Sequence, residues 1–223
     1  MRKSRLVQII YLLVACIIGV LGTFESMRLF SPRFKWDFYV YFTNLSNYFC
    51  LIILFIELIQ TILRKKDDYI STLPKVKFIG VMAIFLTFVV FNFVLSSGMS
   101  IKQLLKFESL SFHFIMPILF IGDWFLFYER KKMDWKYPFY GLIFPGAYLL
   151  FIVIHAAILK FDVTIISLNG YSPLIYPYDF INFYQNGVLG VMKNILIIVV
   201  MLLVSGYVFY ILDKIEYKKK KNN

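Results

Sequence analysis

The hydrophobic residues of this chain fall into six long blocks, separated by short stretches that hold most of the charged residues. A helix needs about 20 apolar residues to cross a bilayer, and each block is close to that length. The pattern therefore predicts an all-α, polytopic membrane protein that forms one domain over 1–223. The six transmembrane helices are predicted over about 7–24, 39–63, 77–95, 109–127, 138–159 and 188–212.

Composition agrees with this pattern. Of the 223 residues, 60% are hydrophobic, and the mean hydropathy is +0.73. A soluble domain is about 45–50% apolar, so the excess excludes a soluble globular protein. The blocks and their connections use nearly the whole chain, which leaves little room for a second domain.

The charged residues predict the orientation in the membrane. The 24 Lys and Arg outnumber the 13 Asp and Glu, for a net charge of +11. Counted in alternate connections and termini, 17 of these cations fall on the side of both termini and 7 on the opposite side. The positive-inside rule then predicts that both termini are cytoplasmic, in the cell (plasma) membrane. The basic tail, 214–223, is expected to contact lipid headgroups, so nucleic acid is not an expected partner.

The longest connection, 160–187, is rich in aromatic residues and proline. It contains the run Tyr171-Ser-Pro-Leu-Ile-Tyr-Pro-Tyr-Asp-Phe. Because this stretch is too apolar for a free loop, it is predicted to fold back onto the outer mouth of the bundle as a lid or short re-entrant segment. Tyr176 and Tyr178 are its candidate site residues.

Polar residues from four predicted helices fall at one depth. At 1.5 Å per residue, Thr43, His113 and His155 each lie about 6 Å below the outer end of their helix, and Asn92 lies close to that level. A polar group inside a span needs a partner or a function. Convergence of this kind is typical of a site inside a helix bundle.

The second helix carries a dense polar face. Tyr39, Thr43 and Asn47 follow each other at i, i+4 and i+8, with Ser46 and Asn44 beside them. One interpretation is that Ser46 and Asn44 make ordinary hydrogen bonds between membrane helices. The other is that this face supports a site centred on Thr43.

The chemistry suited to this layer is nucleophilic attack by a hydroxyl group. Thr43 needs a neighbouring base, and His113 is the nearest histidine by depth. Amides such as Asn44, Asn47 or Asn92 could stabilise an oxyanion. A fatty acyl ester presents its carbonyl group at this depth. His155 could orient a neighbour or bind a headgroup phosphate.

Asp123 lies about 15 Å deeper than His113, too far for a direct hydrogen bond. A structural role is predicted for it, in a pair with Arg130 or Lys131. Apart from Asp123 and Trp124, few polar groups are expected in the inner halves of the helices, which counts against a permease.

Several classes of site are excluded by the motifs. Cys16 and Cys50 lie inside apolar blocks and are expected to be small buried hydrophobes. No Cys/His ligand cluster indicates a metal, and no cofactor is expected. The sequence also lacks a GxSxG elbow, an HExxH pair, a P-loop and a dinucleotide fingerprint.

Four motifs resemble the bacterial Pr-six-Pr membrane proteins, which are related to the androgen-induced protein and ADTRP family of membrane threonine hydrolases. They are Tyr41-Phe-Thr-Asn-Leu-Ser-Asn, the run from His113 to Asp123-Trp-Phe-Leu-Phe, Trp135-Lys-Tyr-Pro and Tyr176-Pro-Tyr-Asp-Phe. The resemblance covers about 7–212. It implies hydrolysis of fatty acid esters with Thr43 as the threonine and His113 as the histidine.

The leading hypothesis is therefore a membrane-embedded ester hydrolase with Thr43 as nucleophile and His113 as base, acting on a lipid near the outer leaflet. The alternative is a non-enzymatic membrane protein that binds a lipid or small molecule, or a permease. A scaffold or sensor subunit is a third hypothesis. Membrane lipids or an acyl-ester substrate are the expected partners.

Overall fold

Six long helices dominate the computed structural model, which describes residues 4–32, 34–64, 73–129, 131–167 and 174–215. All six are long and apolar enough to cross a membrane, and no strand occurs in the described ranges. The prediction of an all-α chain with six helices long and apolar enough to span a membrane is confirmed. The helices are α1 (Arg5–Ser26), α2 (Phe42–Leu63), α3 (Pro74–Leu95), α4 (Phe107–Phe127), α5 (Ile143–Ser167) and α6 (Phe183–Lys214). Short helical turns precede or connect them at Trp36–Val40, Ile101–Leu104, Tyr137–Tyr140 and Asp179–Ile181.

Several helix ends differ from the approximate predicted bounds, and two of these differences have a physical reason. The fifth helix continues to Ser167, beyond the predicted end at 159, because two isolated charges, Lys160 and Asp162, do not stop a helix. The second helix begins at Phe42, since the chain before it forms a 3₁₀ turn over Trp36–Val40. Tyr39 therefore lies outside α2 and does not share a helical face with Thr43.

The sixth helix has a break near its start. The side chain of Asn182 caps it by accepting hydrogen bonds from the backbone N–H groups of Tyr184 and Gln185. Gly187 then interrupts the helical conformation with φ 64° and ψ 174°, a backbone region that glycine enters without a steric penalty. Regular helix follows from 188, the predicted start. Of the predicted basic tail, 216–223 lie outside the described residues.

Helices α1 to α4 form a tight bundle, and α5 and α6 lie at its side. Between 33% and 50% of the most apolar window of α1–α4 is buried, against 11% for the fifth span and 17% for α6. The core is apolar and contains both free cysteines, Cys16 and Cys50, as expected. The looser packing of α5 and α6 leaves space between them and the bundle.

The side chain of Asp213, which is fully buried near the end of α6, fixes the loop between α4 and α5. Its carboxylate accepts hydrogen bonds from the backbone N–H groups of Lys131, at 3.0 Å, and Met133, at 3.1 Å. This anchor ties α6 to the bundle at the end opposite the start of α2.

Gly22 allows α1 to approach α4 closely, and its replacement should destabilise the fold. A Cβ atom at this position would lie 2.6 Å from Cε1 of Phe112. We expect Gly22→Ala to lower the free energy of unfolding by about 1–3 kcal/mol, the usual effect of overpacking. Gly146→Ala is the matched control, because a Cβ there meets nothing within 4 Å. Thermal unfolding in detergent compares the two variants, and equal stability would contradict the close approach.

Candidate functional site

A cavity of about 220 Å³ lies between the bundle and the two loosely packed helices. Its wall is formed by α2, α3, α5, α6 and the turn that contains Tyr178, and it is mostly aliphatic and aromatic. The polar groups on this wall are hydroxyls, contributed by Thr43, Thr87, Tyr148 and Tyr178. A cavity of about 150 Å³ can hold a benzene molecule, so this space is large enough for part of an acyl chain.

Thr43 lies in the first turn of α2, where backbone N–H groups have no partner within the helix. Its N–H donates to the Tyr178 hydroxyl at 3.3 Å, and its Oγ1 is 3.5 Å from the same oxygen. Thr43 is 9% exposed. Burial raises the pKa of Tyr178 above its ordinary value, so the phenol stays protonated and can donate a hydrogen bond beside Thr43.

The segment that carries Tyr178 folds back onto the bundle. Ile181 is buried against Val40 and Ile152, and the Tyr148 hydroxyl donates to the carbonyl of Val40 at 2.9 Å. The described part of the segment, 174–182, thereby covers the cavity beside the start of α2. Residues 168–173 of the predicted lid lie outside the described part of the chain.

His113 lies in a π-helical stretch of α4, Ser111–Ile115. Pro117 explains this stretch, because proline lacks the N–H that would bond the carbonyl four residues earlier and clashes with that carbonyl. A second π-helical stretch, Phe91–Leu95, ends α3. The His113 ring stacks on Phe91 with the ring centroids 3.5 Å apart and the planes 15° apart. Bulges of this kind are frequent at functional sites.

The hydrogen bond of His113 sets its tautomer. Nδ1 lies 3.0 Å from the carbonyl oxygen of Ser109, which can only accept, so Nδ1 must carry the proton. In the neutral ring Nε2 then holds the free lone pair, the form that a general base requires. Among the described residues, however, no hydrogen bond joins His113 to Thr43, and His113 does not line the cavity.

Asn47 connects the helices of the two proposed catalytic residues. Its Nδ2 donates to the carbonyl of Thr43 at 2.8 Å and to that of Phe112, the neighbour of His113, at 3.1 Å. Asn47 is 1% exposed, and its Oδ1 has no hydrogen-bond partner in the described parts of the chain. The backbones of α2 and α4 therefore meet at the predicted level, while the two side chains point to different neighbours.

The other amides and hydroxyls of this layer make structural hydrogen bonds. Ser46 Oγ bonds Thr87 Oγ1 at 2.7 Å and joins α2 to α3, as in the helix-packing interpretation. Asn44 donates to the carbonyl of Phe38 at 2.8 Å and holds the 3₁₀ turn before α2. Asn92 donates to its own helix, to the carbonyl of Phe88 at 2.7 Å.

Tyr39, His155 and Tyr176 lie in other contacts near this end of the bundle. The rings of Tyr39 and His155 meet edge to face with centroids 5.9 Å apart, and His155 Nε2 lies 3.0 Å from the carbonyl of Leu174. Tyr176 packs its ring against Phe183 and Tyr184. These contacts hold the fold-back segment in place.

Sequence reasoning missed a buried ion cluster in the bundle. Lys77 Nζ lies 2.6 Å from Glu57 Oε2 and also pairs with Asp123 Oδ2. Asp123 was predicted to pair with Arg130, which lies outside the described residues, or with Lys131, and its described partner is Lys77. The expectation of few polar groups in this half of the helices is wrong. A lysine and a glutamate inside predicted spans were the signal that could have found the cluster.

Removing the Tyr178 hydroxyl should leave the N–H of Thr43 unsatisfied. We expect Tyr178→Phe to lower the free energy of unfolding by about 1–3 kcal/mol, the usual penalty for an orphaned buried donor. Tyr207→Phe is the control, since this ring is 37% exposed. Denaturant or thermal unfolding of the two variants measures the difference. Equal stability of the two variants would show that the Tyr178–Thr43 contact contributes nothing to the free energy of unfolding.

Comparison of the chain with protein-family models, with curated proteins and with solved structures gave no match.

Proposed function

We propose that this protein is a membrane-embedded hydrolase of fatty acyl esters, with Thr43 as the nucleophile and His113 as the general base. The observation that carries the proposal is the position of the Thr43 hydroxyl. It lies on the wall of a mostly apolar cavity, 3.5 Å from the protonated phenol of Tyr178. An acyl chain in the cavity would bring its ester carbonyl to this polar corner.

The chemistry would run through an acyl-enzyme. Thr43 Oγ1 attacks the ester carbonyl carbon as His113 Nε2 takes the hydroxyl proton, and the tetrahedral intermediate expels the alcohol with that proton. Water then cleaves the acyl-threonine and regenerates the hydroxyl. Tyr178, whose buried phenol stays protonated, is placed to donate a hydrogen bond to the developing oxyanion.

This mechanism requires His113 to move. Its ring is stacked on Phe91, so Nε2 must turn from that stack toward Thr43 when substrate binds. Catalytic hydrogen bonds often form only in the substrate complex. The π-helical stretch around His113 supports such a change, because its backbone lacks the regular α-helical bonding.

The loose packing of α5 and α6 supports lateral entry of a lipid. Both helices expose apolar side chains along most of their length, and both line the cavity. A lipid could pass between them without crossing water. The distribution of cations favours placing this end of the bundle at the outer leaflet and both termini in the cytoplasm. The resemblance to the Pr-six-Pr and androgen-induced proteins supports the same pair of residues.

Labelling with a lipophilic fluorophosphonate tests the proposal. We expect a covalent adduct on Thr43, located by peptide mass mapping, which is lost in Thr43→Ala and strongly reduced in His113→Gln. Both variants must elute as folded, monodisperse protein. A wild-type protein that stays unlabelled, while a control esterase in the same detergent reacts, would contradict the hydrolase.

The second candidate is a lipid-binding protein without catalysis. One observation favours it, because the hydroxyl partner of Thr43 is Tyr178 and not an imidazole. The same cavity would then hold a lipid whose polar group contacts the two hydroxyls.

Two neighbouring variants of α6 test occupation of the cavity. Val199 lines it, whereas Val200 is 52% exposed on the outer face of the helix. We expect Val199→Trp to remove most of the lipid that co-purifies with the wild type, as measured by native mass spectrometry, and Val200→Trp to retain it. Equal lipid content in the two variants would place bound lipid elsewhere. Bound lipid without labelling of Thr43 would favour the binding protein.

A further inference from the structure

The ion cluster of the bundle joins three helices around one lysine. Glu57 comes from α2, Lys77 from α3 and Asp123 from α4. The side chains of Lys77 and Asp123 are each 1% exposed, and that of Glu57 is 11% exposed. The ammonium also lies 4.0 Å from the centre of the Phe120 ring. The cluster is therefore enclosed, with Glu57 as its most accessible member.

The charges of the cluster do not balance. Two carboxylates face one ammonium, so the fully ionised cluster carries a net charge of −1. Such a charge in apolar surroundings is strongly unfavourable, and a buried carboxylate takes up a proton instead when it can.

Lys77 is the one cation in the ion pairs that the structure describes for this cluster. From α1, Tyr11 and Cys16 face it, and from α2, Cys50. Arg5, at the start of α1, does not pair with the cluster in the described contacts. Its guanidinium donates to the carbonyls of Thr61 and Ile62 at the end of α2. The described ion pairs of the cluster therefore leave one negative charge without a cation.

One carboxyl oxygen is also unpartnered. Asp123 Oδ2 pairs with Lys77, but Asp123 Oδ1 is buried and has no hydrogen-bond partner in the described parts of the chain. A buried acceptor without a donor is costly. A proton shared between the two carboxyl groups removes the excess charge from the cluster.

We propose that Glu57, Lys77 and Asp123 form a binding site for one exchangeable proton, held between the two carboxyl groups. The proton belongs to the cluster and not to one residue, because both carboxyl groups meet at the ammonium of Lys77. Binding makes the cluster neutral. Release at higher pH leaves a negative charge at the centre of α1–α4, so the packing of these helices becomes sensitive to proton concentration.

A proton fits this site better than a metal ion. Hard metal ions require several oxygen ligands, whereas the ammonium of Lys77 already lies between the carboxylates and would repel a cation. No group of three or more potential metal ligands was found where the structure describes the chain.

Infrared spectroscopy of the purified protein in lipid vesicles tests the proposal. We expect the carbonyl stretching band of a protonated carboxylic acid at neutral pH, which disappears when the pH is raised. Carbon-13 labelling of glutamate or of aspartate should shift this band and show which acid carries the proton. Absence of the band from the wild type, or a band that shifts with neither label, overturns the proposal without any variant.

Three variants locate the proton. Glu57→Gln and Asp123→Asn each leave one carboxylate for one ammonium, so each should abolish the band in folded protein. Glu25→Gln, at an exposed carboxylate of α1, should retain it. A band that survives both cluster variants overturns the proposal. The proposal is also overturned if the wild type lacks the band and its thermal stability rises with sodium chloride but not with choline chloride. The site would then hold a metal ion.

Discussion

Replacing Lys77 with methionine should destabilise the helix bundle by about 3–5 kcal/mol, one of the largest effects expected of a single substitution in this protein. The lysine is 1% exposed and pairs with both Glu57 and Asp123. Without it, two carboxyl groups remain buried with no positive partner. These two carboxyl groups must then bind protons. The loss of stability is therefore smaller at acidic pH and larger at alkaline pH.

The comparison variant removes the whole cluster. A triple replacement, Lys77→Met with Glu57→Gln and Asp123→Asn, leaves no charge at the cluster, and neutral substitutes for a buried ion cluster are often tolerated. We expect it to recover most of the stability that the single variant loses. Lys75→Met, on the exposed side of the same helix, should change little. Unfolding in mixed micelles at several pH values measures all three. A single variant as stable as the wild type would show that the ion pairs contribute nothing.

Thr43→Ala should abolish ester hydrolysis, with a loss in turnover of about 10⁴-fold or more, as when a nucleophile is removed from other hydrolases. His113→Gln should reduce turnover by about 10²–10⁴-fold, the usual contribution of a general base. Thr43→Ser retains the hydroxyl and should keep part of the activity. Hydrolysis of para-nitrophenyl fatty acyl esters in mixed micelles provides the rate.

Thr61→Ala is the matched control for Thr43→Ala. It removes a threonine hydroxyl that is also buried in α2 but bonds its own helix, at 2.7 Å from the carbonyl of Glu57. It should keep the wild-type rate. If Thr43→Ala also keeps that rate on an ester that the wild type cleaves, Thr43 is not the nucleophile. Gel filtration and thermal unfolding of each variant separate loss of chemistry from loss of structure.

The six helices could be predicted because a membrane span is a strong and nearly local signal. A run of about 20 apolar residues has few other structural outcomes. The ends were less certain for physical reasons. Lys160 resembles a polar boundary but is compatible with continued helix. The 3₁₀ turn before Phe42 consists mainly of aromatic and apolar residues, so it could not be distinguished from the apolar block that follows.

The sequence could predict how far along their helices the candidate site residues lie, but not the direction in which their side chains point. Residue number gives the level of Thr43 and His113 along their helices, and Asn47 does connect the two backbones at that level. The direction of each side chain depends on how the helices rotate against one another, which the sequence alone does not specify. Tyr178 was expected at the mouth of the bundle, whereas its bond with Thr43 required the folded segment.

The two π-helical stretches have a consequence for aligning this chain with any relative. Each one accommodates an extra residue in a helix that otherwise repeats every 3.6 residues. The side chains before that residue are thereby rotated about the helix axis by about 100° relative to those after it. A relative with a regular fourth helix would lack one residue near Ser111–Ile115. An ungapped alignment would then pair His113 with a side chain on a different face. Matching the histidines of two such proteins therefore requires a one-residue gap inside a membrane helix.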